Sequence, residues 1–484
     1  MQEEQAAQAD GSAPKLIVHG ELKRNSLRNR HLTMIALGGI IGASLFVGSG
    51  SVIASAGPAA LLCYAIGGVL VVLVMRMLGE MAVARPALGS FMEYAREALG
   101  DRAGFIVGWL YWYFWVGVVA FEAVVGGRIV SGWTGAPAWV FALGLMFVLT
   151  VSNLLSVKSF GETEFWLASI KIATIIVFLI VGSLWVLGVF PHSHFSVPNI
   201  AYGGFFAHGA MPVLQGVVTV IFAYFGTEIV TMAAAESRQP ARAIARATNT
   251  IVWRIMLFYV GSVALLLMIT PWPEIPSTSS PFAAAFDLFG FPAAATIINV
   301  VVLTAALSVL NSGLYTASRM VYALGGTGWA PGWVTDTNRR GVPWKAILLS
   351  TVVGYVAIVM NYVSPDTIFA FIMNSAGAVA LFVYLIIAFS QLRLRSQLTK
   401  QGAFDSQLKM WFHPWLGILT IVGICVVLGA MGYLESTRSQ LLLSLLSVGA
   451  LLVAYPFARR SRERLLASAV PSTIAGSQPN PARS

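Results

Sequence analysis

A handful of ionisable side chains stand where charge is costly. Lys171 lies in FWLASIKIATIIVF, Glu122 in FWVGVVAFEAVVGG, and Glu228 closes FAYFGTE, all within apolar runs; Glu80 and Arg319 lie at the ends of two more. Ionisable groups inside long apolar segments are rare and mark ion or proton pathways by default. An ammonium at Lys171 needs a partner or gives up its proton, and either state suits proton coupling. The alternative is a lysine snorkelling from a helix end. Glu122 either meets the amine of a ligand or is a protonated structural acid. Glu228 either caps freed backbone amides or relays a proton. Glu80 and Arg319 are expected to form a salt bridge that locks the inner side, or else to be a solvated pair.

Glycines supply the second kind of chemistry. GGIIGASLFVGSG runs from Gly38 to Gly50, and FAYFGTE from Phe222 to Glu228 with Gly226 inside it. Glycine weakens a helix interior by about 1 kcal/mol, and backbone groups freed in lipid must find partners inside the protein or in a cavity. A helix broken at mid-membrane offers N–H groups and a positive dipole end, which suit a carboxylate. A β-branched residue at Gly42 would block such an approach and resist positive φ. The alternative is that these glycines only let helices pack closely.

Other chemistries lack their residues. His19, His31, His192, His194, His208 and His413 fall in tails, loops or helix ends, so no catalytic pair lies within the apolar region. There is no phosphate-binding loop and no metalloprotease motif. Cys63 and Cys425 imply neither a disulfide framework nor a metal site. No cofactor is expected, and without an ATP motif any transport by this chain alone has to draw on an ion gradient. Trp109, Trp112, Trp115 and Tyr224 read mostly as lipid-facing or packing residues, with a minority offering a ring face to a cation.

These groups need a scaffold that buries them in lipid. The 484-residue chain is 57% hydrophobic and 10% charged, against about 25% charged for a soluble domain. Apolar blocks of about 20 residues predict twelve spanning helices, numbered 1 to 12, at 32–55, 58–83, 103–131, 137–156, 163–189, 209–235, 248–270, 291–318, 345–362, 367–391, 413–433 and 439–457. Pro58, Pro137 and Pro414 fall at helix starts, where a missing N–H costs least. Polar tails flank the bundle at 1–31 and 458–484; the first lacks the apolar stretch of a cleavable signal, and the last ~20 residues have a disordered composition. The net charge of +10 reflects topology rather than nucleic-acid binding. Lys and Arg gather before helix 1, in every second connection, for example Arg238, Arg242 and Arg246, and after helix 12; Glu274, Asp287, Asp366 and Glu435 occupy the alternate ones. Both termini are therefore expected in the cytoplasm. Gly42 and Gly226 each sit in the first helix of a five-helix set, which points to inverted repeats over helices 1–5 (about 32–189) and 6–10 (about 209–391), followed by helices 11 and 12 (about 413–457).

Several stretches carry a resemblance across nearly the whole membrane region: LGGIIGASLFVGS, SAGPAALLCYAIGG, MRMLGEMAVA, GWLYWYFWV, SVKSFGETEFWLASIK, AAAES, RATNTIVWRI and LNSGLYTASRM. From about Leu22 to Arg460 the chain resembles bacterial amino-acid permeases of the amino acid–polyamine–organocation superfamily, and GASLFVG and NLLSVKSFGE resemble its gamma-aminobutyrate (GABA) permeases most. The resemblance implies an all-α integral membrane protein of the leucine-transporter type with proton symport. It implies a substrate carboxylate at the helix 1 break, here Ile41, Gly42, Ala43 and Ser44, and a substrate amine at carbonyls of the helix 6 break, here Phe222, Ala223 and Tyr224, beside Gly226. Ser44 departs from the glycine of many α-amino-acid permeases; its side chain narrows the site where an α-amino group would crowd in. Lys171 matches a lysine that some members use in place of a sodium ion, whose binding it would oppose by like-charge repulsion.

The resulting expectation is a proton-coupled importer of a small amino acid, GABA first, in a bacterial inner membrane, with protons and lipid as its other partners. Alternatives are a permease for an aromatic, cationic or proline substrate, an exchanger of the same fold, or a nutrient sensor; an enzyme is not expected.

Overall fold

The computed structural model describes residues 27, 29–39, 41–190, 193, 197–237, 239–276, 280–291, 293–363, 376, 378–402 and 406–469. Outside these fall the cations before Leu27, Arg28, Arg238 and Asp366, His19, His192 and His194, the predicted start of helix 10 and the end of the C-terminal tail. Among the described residues every regular element is a helix, and one isolated parallel bridge joins Leu27 to Ser237.

Among the described residues eleven helical stretches are long and apolar enough to cross a membrane. One of them, Gly48–Ala84, runs from the last piece of helix 1 through a 3-10 turn at Gly57–Ala59 into helix 2. Helix 1 does not count as one span because it is in pieces: Asn29–Gly38, Ala43–Phe46 and Gly48–Ala56. Helix 6 is likewise split into Met211–Tyr224 and Ile229–Ala235. Helices 3, 4, 5, 8, 9, 10 and 11 are Asp101–Thr134, Ala138–Leu155, Val157–Val186, Ala294–Gly326, Trp344–Val363, Val379–Lys400 and Trp415–Tyr433.

Several helices outrun their apolar cores. Helix 5 starts at Val157 rather than near 163, because Ser156 accepts the Ser159 N–H (2.9 Å) and so caps a polar first turn. Helix 7 starts at Pro240, passes into a π-helical turn at Ile255–Gly261, and ends at Ile269. Helix 12, Glu435–Ala469, continues well into the predicted tail. An Arg459–Glu463 pair along the helix and an Arg462–Asp101 pair (2.6 Å) to helix 3 support this extension.

Helix 8 lies along helix 3 and also touches helices 4, 5 and 9, while the first piece of helix 1 rests on helix 5, the second piece of helix 6 and helix 7. The apolar window of helix 6 is 89% buried, against 28% for helix 11 and 11% for helix 12, so helix 6 is central and the last two helices are peripheral. Outward faces carry Val148, Trp166, Trp253, Leu419 and Val453, an apolar exposure that fits contact with lipid.

Candidate functional site

The two breaks meet backbone to backbone. Gly226 has φ +110°, a conformation L side chains rarely adopt, and a Cβ there would lie 2.6 Å from Gly39 O. Gly42 is confined differently. Its backbone is extended (φ −107°, ψ −169°), so the expectation of positive φ fails here. A Cβ on Gly42 would instead sit 3.3 Å from Val309 Cγ2 and 3.5 Å from Glu122 Oε1. The first bond of the next helical piece runs from Leu45 N–H to Gly42 O (3.3 Å). The N–H groups of Ala43 and Ser44 therefore precede the ladder, as at any helix start.

The carbonyls at the other break are already engaged. Phe222 O accepts Phe225 N–H (3.2 Å), Ala223 O accepts Tyr259 OH (3.3 Å), and Tyr224 O accepts Thr227 Oγ1 (2.6 Å). Each keeps one lone pair for a further donor. Glu228 accepts from Gly226 N–H (3.1 Å) and from Tyr111 OH (2.9 Å), so its carboxylate caps the break it follows.

Lys171 is fully buried and does not snorkel. Its Nζ donates to Gly38 O, to Ile41 O (2.6 Å) and to Ser308 Oγ (2.8 Å), joining helix 5 to both sides of the helix 1 break and to helix 8. Ser308 Oγ passes a hydrogen bond on to Glu164 Oε1 (2.5 Å), and Asn311 Nδ2 donates to Glu164 Oε2 (3.2 Å). Asn153 Nδ2 in turn donates to Asn311 Oδ1 (2.9 Å). Glu164 is the functional candidate that sequence reasoning missed. Its signal is its place two turns before Lys171 on the same helix face, hidden in the charged stretch GETE.

Glu122 enters the same space from helix 3. It is buried, one carboxyl oxygen faces Gly42, and the other has no hydrogen-bond partner among the described residues. Half-buried Ser44 completes this wall, its Oγ 3.8 Å from the position a Gly42 Cβ would take. A carboxyl, two freed N–H groups and a lysine-bound carbonyl pair thus converge within one helix break.

Glu80 and Arg319 do not pair with each other. Arg319 Nε donates to Glu236 Oε1 (3.0 Å), which also takes Tyr315 OH (2.8 Å), and the guanidinium lies 4.0 Å from the centre of the Tyr315 ring. Glu80 accepts from Gln391 Nε2 (2.8 Å), Arg395 NH1 (3.0 Å) and Met410 N–H. The reason is packing: helix 2 lies against helix 10, whereas helix 8 meets the end of helix 6. Of the aromatic candidates, Trp109, Trp112 and Tyr224 spend their polar atoms on Trp329 O, Ser350 Oγ and Tyr64 O. Buried Trp115 packs beside Gly226 and Gly313.

Comparison with known proteins agrees with this layout. The family profile described as "Amino acid permease" matches residues 31–466. The gamma-aminobutyric acid permease of Bacillus subtilis is 48% identical over 453 residues, covering 93% of this chain and 97% of its own. The gamma-aminobutyric acid permease of Escherichia coli is 44% identical, covering 87% and 92%. An aromatic amino acid transport protein of Corynebacterium glutamicum is 40% identical, covering 86% and 90%. These relatives are named as transporters rather than enzymes, and a chain matched over nearly its whole length by the profile and by such relatives belongs to the amino acid permease family.

Proposed function

We propose that this chain imports gamma-aminobutyrate together with a proton, by alternating access across a bacterial inner membrane. The reading takes helix 1 as one interrupted span, which makes twelve, arranged as two inverted five-helix repeats plus helices 11 and 12, with both termini cytoplasmic. The observation that carries it is the seating of Lys171 Nζ on Gly38 O, Ile41 O and Ser308 Oγ. A protonatable group bound to the backbone of a broken helix ties protonation to the shape of that helix, which is what symport requires. The substrate carboxylate docks at the Ala43 and Ser44 N–H groups, and Glu122, with its unpartnered oxygen, faces the amine. Glu164, through Ser308, and Glu122 are the carboxyl groups that exchange charge with Lys171.

The names of the most similar relatives support the choice of GABA, and Ser44 supports a substrate without an α-amino group. GABA is net neutral, so one proton carries one charge. A membrane potential of ~150 mV then contributes roughly 3.5 kcal/mol, about a few-hundred-fold accumulation. The test is uptake of labelled GABA into proteoliposomes under an imposed pH difference, with proline, phenylalanine and lysine as competitors. Saturable GABA uptake with proton entry is expected. Stronger competition by phenylalanine or lysine than by GABA would refute the substrate, and uptake that needs only internal amino acid would indicate exchange.

A further inference from the structure

The first piece of helix 1 ends in carbonyls that have no acceptor role inside the helix, and two buried cations meet them. Lys171 takes Gly38 O. Arg254, on helix 7, donates through NH1 to Ala36 O. Arg254 is 7% exposed, and it stands about 22 Å from the outer end of its helix at Ile269 by a 1.5 Å rise per residue. Its NH2 reaches Ala247 O and Thr250 Oγ1 (3.3 Å) on its own helix, and its Nε has no partner among the described residues. Every one of these partners is neutral, in contrast to Arg319, which faces Glu236.

A guanidinium buried without a carboxylate is costly unless carbonyl dipoles compensate it. The C-terminal end of a half-helix, where the dipole is negative, supplies that compensation. Arg254 thus depends on Ala36 as much as Ala36 depends on Arg254. Two further features mark the contact. Helix 7 widens into its π-helical turn at the next residue, Ile255, a distortion frequent at functional sites. Around the contact Ala36, Val230 and Ala247 form a small apolar cluster separate from the main core. Each comes from a different body: the first piece of helix 1, the second piece of helix 6, and helix 7.

We propose that Arg254 is a positioning residue that latches the first piece of helix 1 to helix 7, so that the cytoplasmic path opens only when its guanidinium releases Ala36 O. The proposal rests on the transport reading above, but its test reads the latch without any transport. Val230 is 2% exposed behind the latch. Val230→Cys is placed in a full-length Cys63→Ser, Cys425→Ser background, and a membrane-impermeant maleimide is applied to inside-out vesicles. Arg254→Ala should speed labelling from that side about tenfold, the ratio set by losing one charged hydrogen bond. Arg254→Lys should recover part of the slow rate, since an ammonium can serve Ala36 O but lacks the fork that also reaches Ala247. In uptake measurements Arg254→Ala should raise KM for external GABA, by no more than that factor, because the outward-facing share falls. If Arg254→Ala does not reach the membrane, Arg254→Met, which keeps the length without a donor, carries the comparison. Labelling at the parent rate in folded Arg254→Ala or Arg254→Met protein would overturn the latch. A failure of GABA uptake in the unsubstituted chain would overturn the transport reading and leave the labelling result standing.

Discussion

Removing Lys171 tests the proposed coupling most directly. Lys171→Ala deletes three hydrogen bonds from an ammonium, to Gly38 O, Ile41 O and Ser308 Oγ, and it strips Glu164 of the cation behind Ser308. Breaking a contacting buried charge pair by deleting one partner costs about 3–5 kcal/mol, an upper bound here because Ser308 stands between the two groups. Glu164 keeps Ser308 and Asn311 as neutral donors, which places the loss near the low end, about 3 kcal/mol. Glu164→Gln removes the charge left behind. The double variant should therefore be less destabilised than the sum of the single ones, by about 1–3 kcal/mol of coupling. Apparent unfolding midpoints in detergent report that cycle. Vesicles with an imposed pH difference report the function: Lys171→Ala should fall from concentrative uptake to simple equilibration, while exchange at equal concentrations persists. Lys171→Arg should also fail to accumulate, because a guanidinium stays charged. Wild-type accumulation in both variants, or strictly additive effects with Glu164→Gln, would refute the reasoning.

Further outcomes test the site and the topology. Gly226→Ala should abolish uptake and lower stability by more than about 1 kcal/mol, since it combines a positive φ with a 2.6 Å clash on Gly39 O, whereas Gly42→Val should abolish uptake and substrate binding with protein still in the membrane. Retained binding in a direct ligand assay of Gly42→Val would move the carboxylate elsewhere. Glu236→Gln should destabilise the chain by about 3 kcal/mol in a thermal assay by leaving Arg319 buried without its carboxylate, and Glu80→Gln should not change that loss when combined with it, because the two sites share no partner. A cytoplasm-only reporter should be active when fused after Ser484 and silent when fused near Ser196; the reverse pattern would overturn the proposed orientation.

The glycine runs made both helix breaks legible, because a glycine cluster inside an apolar segment has few other uses in lipid. Lys171 was legible as a lone cation at mid-span. That carbonyls freed at the helix 1 break, or a carboxylate, would keep it charged was legible too; that Ser308 links it to Glu164 was not. Glu164 sits among the polar first turns of helix 5, where a carboxylate has no need of a buried role, and only the rotation of that helix against helix 8 brings it to Ser308. The Glu80–Arg319 pairing failed for a related reason. Hydropathy gives each residue a depth in the membrane but not a neighbour, and at the same depth Arg395 and Glu236 were equally eligible partners. Arg254 falls inside the predicted helix 7, 248–270, but the sequence does not say which neighbour it faces; the packing of helix 7 against the first piece of helix 1 decides that. Helix 12 outran its apolar window through ion pairs, which carry no hydropathy signal.

One ammonium spans the joint of helix 1, with Gly38 O on one side and Ile41 O on the other. A lysine has three N–H donors when charged and two when neutral, and here all three are in use. On the transport reading, a departing proton removes one donor, so either a carbonyl on one side of the joint is let go or the Ser308 hydroxyl turns to donate to the amine. On that reading the joint is stiffest when charged, and proton occupancy sets the mechanical compliance of this segment.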